Sequence, residues 1–182
     1  STQVAALTTA QIASLSTTEV SLLRTSQIVA LGSAQLAALG TDDVAALTTA
    51  QIDALTTAQI VALSTAQVAA FDTADLKVLS TSQVAAFSTA QLDTLTTSEL
   101  AELDTVQVAA LTTEQIRSLA QADIVALTTA QAAALGVAQL GALKVGPEHL
   151  LETSKTIGIA VANPPTVANM KAQMPQLSYG QG

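Results

Sequence analysis

The sequence contains no cysteine and no tryptophan, and its aromatic side chains are Phe71, Phe87 and Tyr179. Without cysteine there is no disulfide framework and no thiolate to attack a substrate or bind a metal. Aromatic side chains line ligand pockets and binding hot spots, so their scarcity argues against a small-molecule substrate. The one histidine, His149, has no second histidine for a metal site and no triad partner, so we expect a surface or helix-end residue. These absences predict a chain that is not an enzyme, with no cofactor and no metal site.

Basic residues and long apolar runs are also scarce. Six lysine and arginine residues stand against 14 aspartate and glutamate residues, which gives a net charge of −8. An acidic chain without a basic face cannot neutralise phosphates, so nucleic acid and anionic membrane surfaces are not expected partners. Polar residues recur throughout, and no stretch approaches the roughly 18 apolar residues of a membrane span. No membrane insertion is therefore expected.

What the sequence does contain is one phrase of eight residues, repeated without insertion or deletion from Ser1 to Leu143. The phrase is Ser/Thr-Thr-Ala-Gln-Ile/Val/Leu-x-Ala-Leu. Its apolar pairs run in strict phase from Val4 and Leu7 to Leu140 and Leu143. A fixed period predicts one structural unit stacked many times.

The octad does not suit a continuous helix or a plain strand. At about 100° per residue, eight residues overshoot two turns by about 80°, so the apolar stripe would circle a long helix. Coiled coils need about 3.5 to 3.67 residues per turn, whereas an octad over two turns needs about 4.0. In a strand the odd apolar spacings would send the two residues of each pair to opposite faces.

The polar positions instead predict a helix that stops and restarts in every octad. With Thr8 as N-cap, Gln11 lies at N3, and the two form a capping box. Of the seventeen cap positions from Thr8 to Gly136, fifteen are Ser, Thr, Asp or Gly, and the exceptions are Arg24 and Ala120. All eighteen N3 positions are Gln, Glu or Asp. In the same phrase the apolar residues before the cap and at N4, such as Leu7 and Ile12, form a hydrophobic staple.

These signals predict an all-α solenoid of very short capped helices, one per octad. Helices of under two turns do not persist alone in water, so stacking must stabilise them. The Ile/Val/Leu and Leu/Phe positions should point inward, and the alanine before each leucine should allow close approach. The variable position after the N4 residue should face solvent; it includes Asp53, Lys77, Asp93 and Arg117. The pattern does not place the residues Leu22, Val78 and Glu102, which replace that alanine.

Two features of the solenoid remain open at this point. Two octads per coil would make a flattened rod and three a triangular one. Phe71 and Phe87 lie sixteen residues apart, which favours two. A β-solenoid is the competing fold, because short threonine-rich repeats also build that architecture.

After Leu143 the phase is lost, so the sequence predicts two domains, the octad solenoid at 1–143 and a capping segment at 144–182. In the second, Pro147 opens a helix, 157–161 is a short apolar run, and a final helix follows Thr166. We expect this segment to cover the last coil, because an open solenoid end exposes core to water. The chain opens in mid-repeat at Ser1, so we expect a processed product or a piece of a longer array.

Several residues allow a chemical interpretation beside a structural one. Asp42 and Asp43 could attract calcium, but carboxylates in a first helical turn are already favoured by the helix dipole. Asp72 and Asp104 are expected to be N-caps, and the glycines at cap positions to be permitted caps rather than a phosphate loop. The cap glycines are Gly32, Gly40 and Gly136.

Threonine recurs at the first helical position of most octads. So regular a row could bind ice, or could simply cover each junction with a methyl group. The series begins Thr9, Thr17, Thr25, Thr41 and Thr49.

The phrase Leu-Thr-Thr-Ala-Gln-Ile-x-Ala-Leu at 47–55 and 55–63 resembles the tandem arrays of large secreted or surface adhesin-like proteins of proteobacteria. The resemblance covers about four-fifths of the chain and implies a bacterial extracellular or cell-surface location. The predicted function is a non-catalytic structural or adhesive rod that self-associates end to end into a filament or binds a protein partner. The alternative is a solenoid whose regular threonine face binds a protein or an ordered surface such as ice.

Overall fold

Each octad forms one short helix, as the capping pattern predicts. The computed structural model describes residues 2–143, and this part of the chain contains helices and no strands. The all-α prediction is therefore confirmed, and the competing β-solenoid is wrong. The helices, in chain order, are α1 (Thr2–Ala5), α2 (Thr9–Ala13), α3 (Thr17–Ser21), α4 (Thr25–Val29), α5 (Ser33–Ala37), α6 (Thr41–Ala45), α7 (Thr49–Asp53), α8 (Thr57–Ala62), α9 (Thr65–Val68), α10 (Thr73–Val78), α11 (Thr81–Ala86), α12 (Thr89–Leu92), α13 (Thr97–Glu102), α14 (Thr105–Ala110), α15 (Thr113–Ser118), α16 (Gln121–Ala126), α17 (Thr129–Ala134) and α18 (Val137–Ala142).

The capping segment predicted at 144–182 lies outside the described residues, and so do His149, Pro147 and Thr166. The division of the chain at Leu143 stays a prediction.

Every helix from α2 onward is preceded by an extended cap residue, and α8 ends with two consecutive extended residues. At the end of α8, Leu63 has ψ 139° and the following cap residue, Ser64, has ψ 161°. Helical backbone needs ψ near −40°, so this pair halts the spiral. The Ser64 hydroxyl then accepts a hydrogen bond from the backbone N–H of Gln67, 3.2 Å away, and starts α9. The local sequence thus imposes both the stop and the restart.

Each helix packs on the helix three octads along the chain, so about three octads form one coil. The helices therefore stand in three columns: a first column of α4, α7, α10, α13 and α16, a second column of α2, α5, α8, α11, α14 and α17, and a third column of α3, α6, α9, α12, α15 and α18.

The preference for two octads per coil, taken from the phenylalanine spacing, is wrong. Phe71 follows α9 in the third column and Phe87 follows α11 in the second, and both are buried. Every column sends the last residue of its octads into the same core. The two phenylalanines therefore need not share a column.

The core is a continuous aliphatic interior. In the interior octads the N4 residue and the closing Leu or Phe are buried, as predicted; Ile60 is 0 % exposed and Leu63 4 %. The alanine before the closing leucine is half-buried in most octads, for example at Ala54 and Ala62. The predicted solvent-facing positions are exposed, among them Asp53, Lys77, Asp93 and Arg117.

The structure also places the three residues that the pattern left unassigned. Leu22 is 76 % exposed, and Val78 packs partly buried against the core. The Glu102 carboxylate forms an ion pair with Lys77, which α10 presents from the coil before. That position of the octad is half-buried at Val78 and exposed at Leu22 and Glu102, so it accepts residues of several kinds.

We expect Ile60→Ala to lower the free energy of unfolding by about 2–5 kcal/mol, because it empties space in a core that cannot close around it. The matched control is Val61→Ala in the same helix, since Val61 is 61 % exposed and its truncation should change stability by less than about 0.5 kcal/mol. Urea denaturation followed by the helical circular dichroism signal measures both. Equal losses for the two variants would contradict the assignment of the inward face.

Candidate interaction surfaces of the solenoid

The capping box predicted from the sequence is present along the array. In α7 the Gln51 Oε1 accepts from the backbone N–H of Thr48 at 2.7 Å, and the Thr48 hydroxyl accepts from the N–H of Gln51 at 3.3 Å. A side-chain acceptor at the cap closes the box in twelve helices from α2 to α17. In five others the N3 side chain alone accepts from the cap N–H; their caps are Arg24, Gly32, Gly40, Ala120 and Gly136.

The N3 glutamine has a second role that the sequence analysis missed. The Gln51 Nε2 donates to the carbonyl oxygens of Val20 at 2.9 Å and Leu23 at 2.6 Å, which belong to the preceding coil. These carbonyls lie at the end of α3, where the Val20 oxygen also accepts from the backbone N–H of Leu23 at 3.1 Å. One side chain therefore caps its own helix start and the end of a helix below.

This bridge recurs with the same sequence separation of 28 to 31 residues in ten octads. The bridging side chains are all buried. A signal for the bridge was present in the sequence: thirteen of the eighteen N3 residues are Gln, although Glu would serve a capping box and the helix dipole equally well. The bridging residues are Gln35, Gln51, Gln59, Gln67, Gln83, Gln91, Gln107, Gln115, Gln131 and Gln139.

Acidic residues interrupt the bridges. An ionised carboxylate accepts the cap N–H but has no donor for the carbonyls of the preceding coil. At Asp75, burial raises the pKa of the carboxyl; the backbone N–H of Asp72 opposes this, and the Asp72 carboxylate reinforces it. The acidic N3 residues in octads that follow a complete coil are Asp43, Asp75, Glu99 and Asp123.

The coil end formed by α2, α3 and α4 has unused donors. Within residues 2–143 no residue lies 28 positions before Gln11 or Gln27, so neither amide has a bridging carbonyl among the described residues. Leu7, Leu15 and Leu23 are only partly buried there, whereas the equivalent leucines from Leu31 onward are 3–7 % exposed in most interior octads. This surface, which we call the open coil end, has the donors and apolar groups of an interior coil contact, and no described residue packs against it.

The aspartates considered for calcium act at helix starts. The Asp43 Oδ2 accepts from the N–H of Gly40 at 3.0 Å, and Asp42 is exposed beside it. Asp72 and Asp104 accept from backbone N–H groups as N-caps, which confirms that prediction. Within residues 2–143 no group of three or more His, Cys, Asp or Glu side chains could hold a metal ion.

The threonine series is exposed, but it does not form one ladder. Thr9 lies in the second column, Thr17 and Thr41 in the third, and Thr49 in the first. The series therefore divides into three rows, one on each side of the solenoid. Ice binding by such a row stays a prediction.

We expect Gln91→Glu to destabilise the fold by about 3 kcal/mol at neutral pH, because it puts a buried carboxylate against the carbonyls of Ile60 and Leu63 in place of a donor. The loss should shrink in acid, as protonation restores a donor. Gln11→Glu is the matched control: it keeps the capping box, has no such carbonyls to face, and should cost less than about 0.5 kcal/mol. Denaturation midpoints at dilute concentration measure both; a loss as large in the control would mean that the bridge adds nothing.

The raised pKa of Asp75 determines how the free energy of unfolding changes with pH. The folded state binds this proton more tightly than the unfolded state, so the free energy of unfolding falls as pH rises from 3.8 through the folded pKa. Asp75→Gln should remove that fall and add about 1 kcal/mol at neutral pH by supplying a donor to Val44 and Leu47. Denaturation across pH 3 to 8 tests this.

The control for that variant is Glu19→Gln at the same octad position. Hydrogen bonds from the backbone and side chain of Ser16 lower the pKa of the exposed Glu19 carboxyl, and no preceding coil offers it carbonyls. This change should therefore not stabilise the chain. A gain equal to that of Asp75→Gln would contradict the bridging explanation.

No helix in the part of the chain that is described has the length and hydrophobicity to cross a membrane. No curated protein and no solved structure matches the chain significantly. A family of tandem repeats, the ALTTAQ repeat, matches it four times, at residues 20–49, 36–73, 68–105 and 108–145. These matches follow the octads whose capping and bridging are described above, and the chain belongs to the ALTTAQ repeat family.

Proposed function

We propose that this chain is a non-catalytic structural rod of a bacterial extracellular or cell-surface protein, and that it extends by stacking further coils of its own kind. The observation that carries the proposal is the bridge from each N3 glutamine to the preceding coil. It makes every coil both a donor surface and an acceptor surface. The two ends of such an array differ, and a further coil adds to it through the same hydrogen bonds.

The side chains of the array support a mechanical role over a chemical one. The polar side chains that recur in every octad form the caps and bridges, and the interior is aliphatic. Because catalysis needs convergent titratable groups with a substrate cavity, an array of this kind is a poor scaffold for an enzyme. The resemblance to surface repeat arrays supports the location and the adhesive role.

The match between the first and last described coils supports end-to-end growth. The amides of Gln11 and Gln27 match the carbonyls that later octads present, for example those of Ile124 and Leu127 near the other end of the array. A contact between unlike surfaces does not close on itself, so it continues into a filament.

Light scattering and electron microscopy at rising concentration test the filament. We expect particle length to increase with concentration, and the double variant Gln11→Glu, Gln27→Glu to remain short, since carboxylates would face carbonyls at the new contact. Wild-type rods of constant length at high concentration would contradict filament formation. The proposed function would then be that of an isolated spacer. Immunolabelling of intact cells of a producing bacterium tests the location, and antigen confined to the interior would overturn it.

A further inference from the structure

One interior octad, residues 40–47 with helix α6, is not bridged to the coil on either side. An interior octad is bridged twice when its N3 glutamine donates to the coil before and its own carbonyls accept from a glutamine of the coil after. The octad of α8 has both bridges, through Gln59 and Gln91. Of the octads from α5 to α14, whose neighbours one coil away are all described, that of α6 alone lacks both.

Two buried aspartates account for the missing bridges. Asp43, at N3 of α6, occupies the position from which glutamine would donate to the coil before, and Asp75, at N3 of α10, occupies the position from which glutamine would donate to the carbonyls of the α6 octad. They are 9 % and 4 % exposed. Each carboxylate accepts a cap N–H, from Gly40 at 3.0 Å and from Asp72 at 3.2 Å, and has no hydrogen to donate when ionised.

The start of α6 also has fewer hydrogen bonds than that of most helices in the array. Its cap, Gly40, has no hydroxyl to accept an N–H of the first turn, whereas in α8 the Thr56 hydroxyl accepts from the N–H of Gln59 at 3.2 Å. A helix of five residues does not persist alone in water. The position of α6 in the stack therefore depends on aliphatic packing, with Val44 0 % and Leu47 5 % exposed.

The charges near these two aspartates are mostly negative. Asp42 is exposed beside Asp43, and the Asp72 carboxylate caps α10. Among the helices that pack against α6 and α10, α9 carries no charged residue. The others carry carboxylates, namely Glu19 on α3, Asp53 on α7, and Glu99 and Glu102 on α13. The basic residue of these helices, Lys77 in α10, forms its ion pair with Glu102, so it is not paired with Asp43 or Asp75.

We propose that α6 is a pH-controlled opening point of the solenoid, a segment that leaves the stack readily at neutral pH and is held in place in acid. Ionised Asp43 and Asp75 leave both coil contacts of the octad without a donor. Protonation removes the two charges and gives each carboxyl an O–H to donate to the carbonyls of the neighbouring coil. This device lies within the array, so it does not rest on filament formation or on the location of the protein.

The direction of the pH effect follows from Asp75. Burial raises the pKa of this carboxyl above the ordinary value of 3.8; the backbone N–H of Asp72 opposes this, and the Asp72 carboxylate reinforces it. The closed state therefore binds the proton more tightly than the open state. The free energy of opening is largest at low pH and falls as pH rises through the pKa of the closed state.

Native-state hydrogen exchange measures this opening at matched amides of two octads. The N–H groups of Val44 and Leu47 correspond to those of Ile60 and Leu63 in α8, and all four donate within their own octads. We expect the protection factors of the α6 pair to be about tenfold or more below those of the α8 pair at pH 7, and within about threefold at pH 4. Equal protection of the two octads at pH 7 would overturn the proposal, as would a difference that persists unchanged at pH 4.

Variants in both octads separate the bridges from the charges. The double variant Asp43→Gln, Asp75→Gln supplies both donors and should raise the protection of α6 to within about threefold of α8 at pH 7. Asp42→Asn is the matched control, because it removes a carboxylate from the same helix without adding a bridge, and it should change protection less than about twofold. The reverse double variant, Gln59→Asp with Gln91→Asp, should lower the protection of α8 about tenfold at pH 7. If Asp42→Asn protected α6 as well as the double variant does, or if the reverse variant left α8 unchanged, the bridges would not control the opening.

Discussion

The bond on which the structure depends is the two-sided hydrogen bonding of the N3 glutamine. Its oxygen caps the start of one helix, and its amide nitrogen caps the end of a helix in the coil before, as at Gln51 with Thr48 and Leu23. Helices of four to six residues cannot persist alone, so each needs its neighbours. Because one side chain serves both ends, local order and stacking form together.

The bridge also sets where the array is strong and where it is weak. In the second column it is complete from α5 to α17, whereas three successive helices of the first column, α10, α13 and α16, carry Asp75, Glu99 and Asp123 at N3. There the coils are held without the amide donor, by aliphatic packing and, between α10 and α13, by the ion pair of Lys77 with Glu102. Since stability in a solenoid is a sum over neighbouring contacts, each missing bridge weakens one contact between coils.

The differences between octads lie on the surface and not in the interior, because the interior residues cap, bridge or fill the core. Positions that cap, bridge or fill the core tolerate little change, while the exposed positions vary between alanine, valine and charged residues. Three octads per coil turn that variation into three sides of different character. The differences between octads therefore lie on the sides of the solenoid.

The local structure could be predicted from the octad alone, because caps and staples act over only a few residues. Thr8 and Gln11 predict the break and restart of the helix, and Leu7 and Ile12 the inward face. The tertiary structure alone decided the number of octads per coil, the bridge from Gln51 to Leu23 and the side on which Asp53 or Ala58 lies. Those features depend on contacts between residues about one coil apart, and an octad does not encode the angle at which the next one leaves.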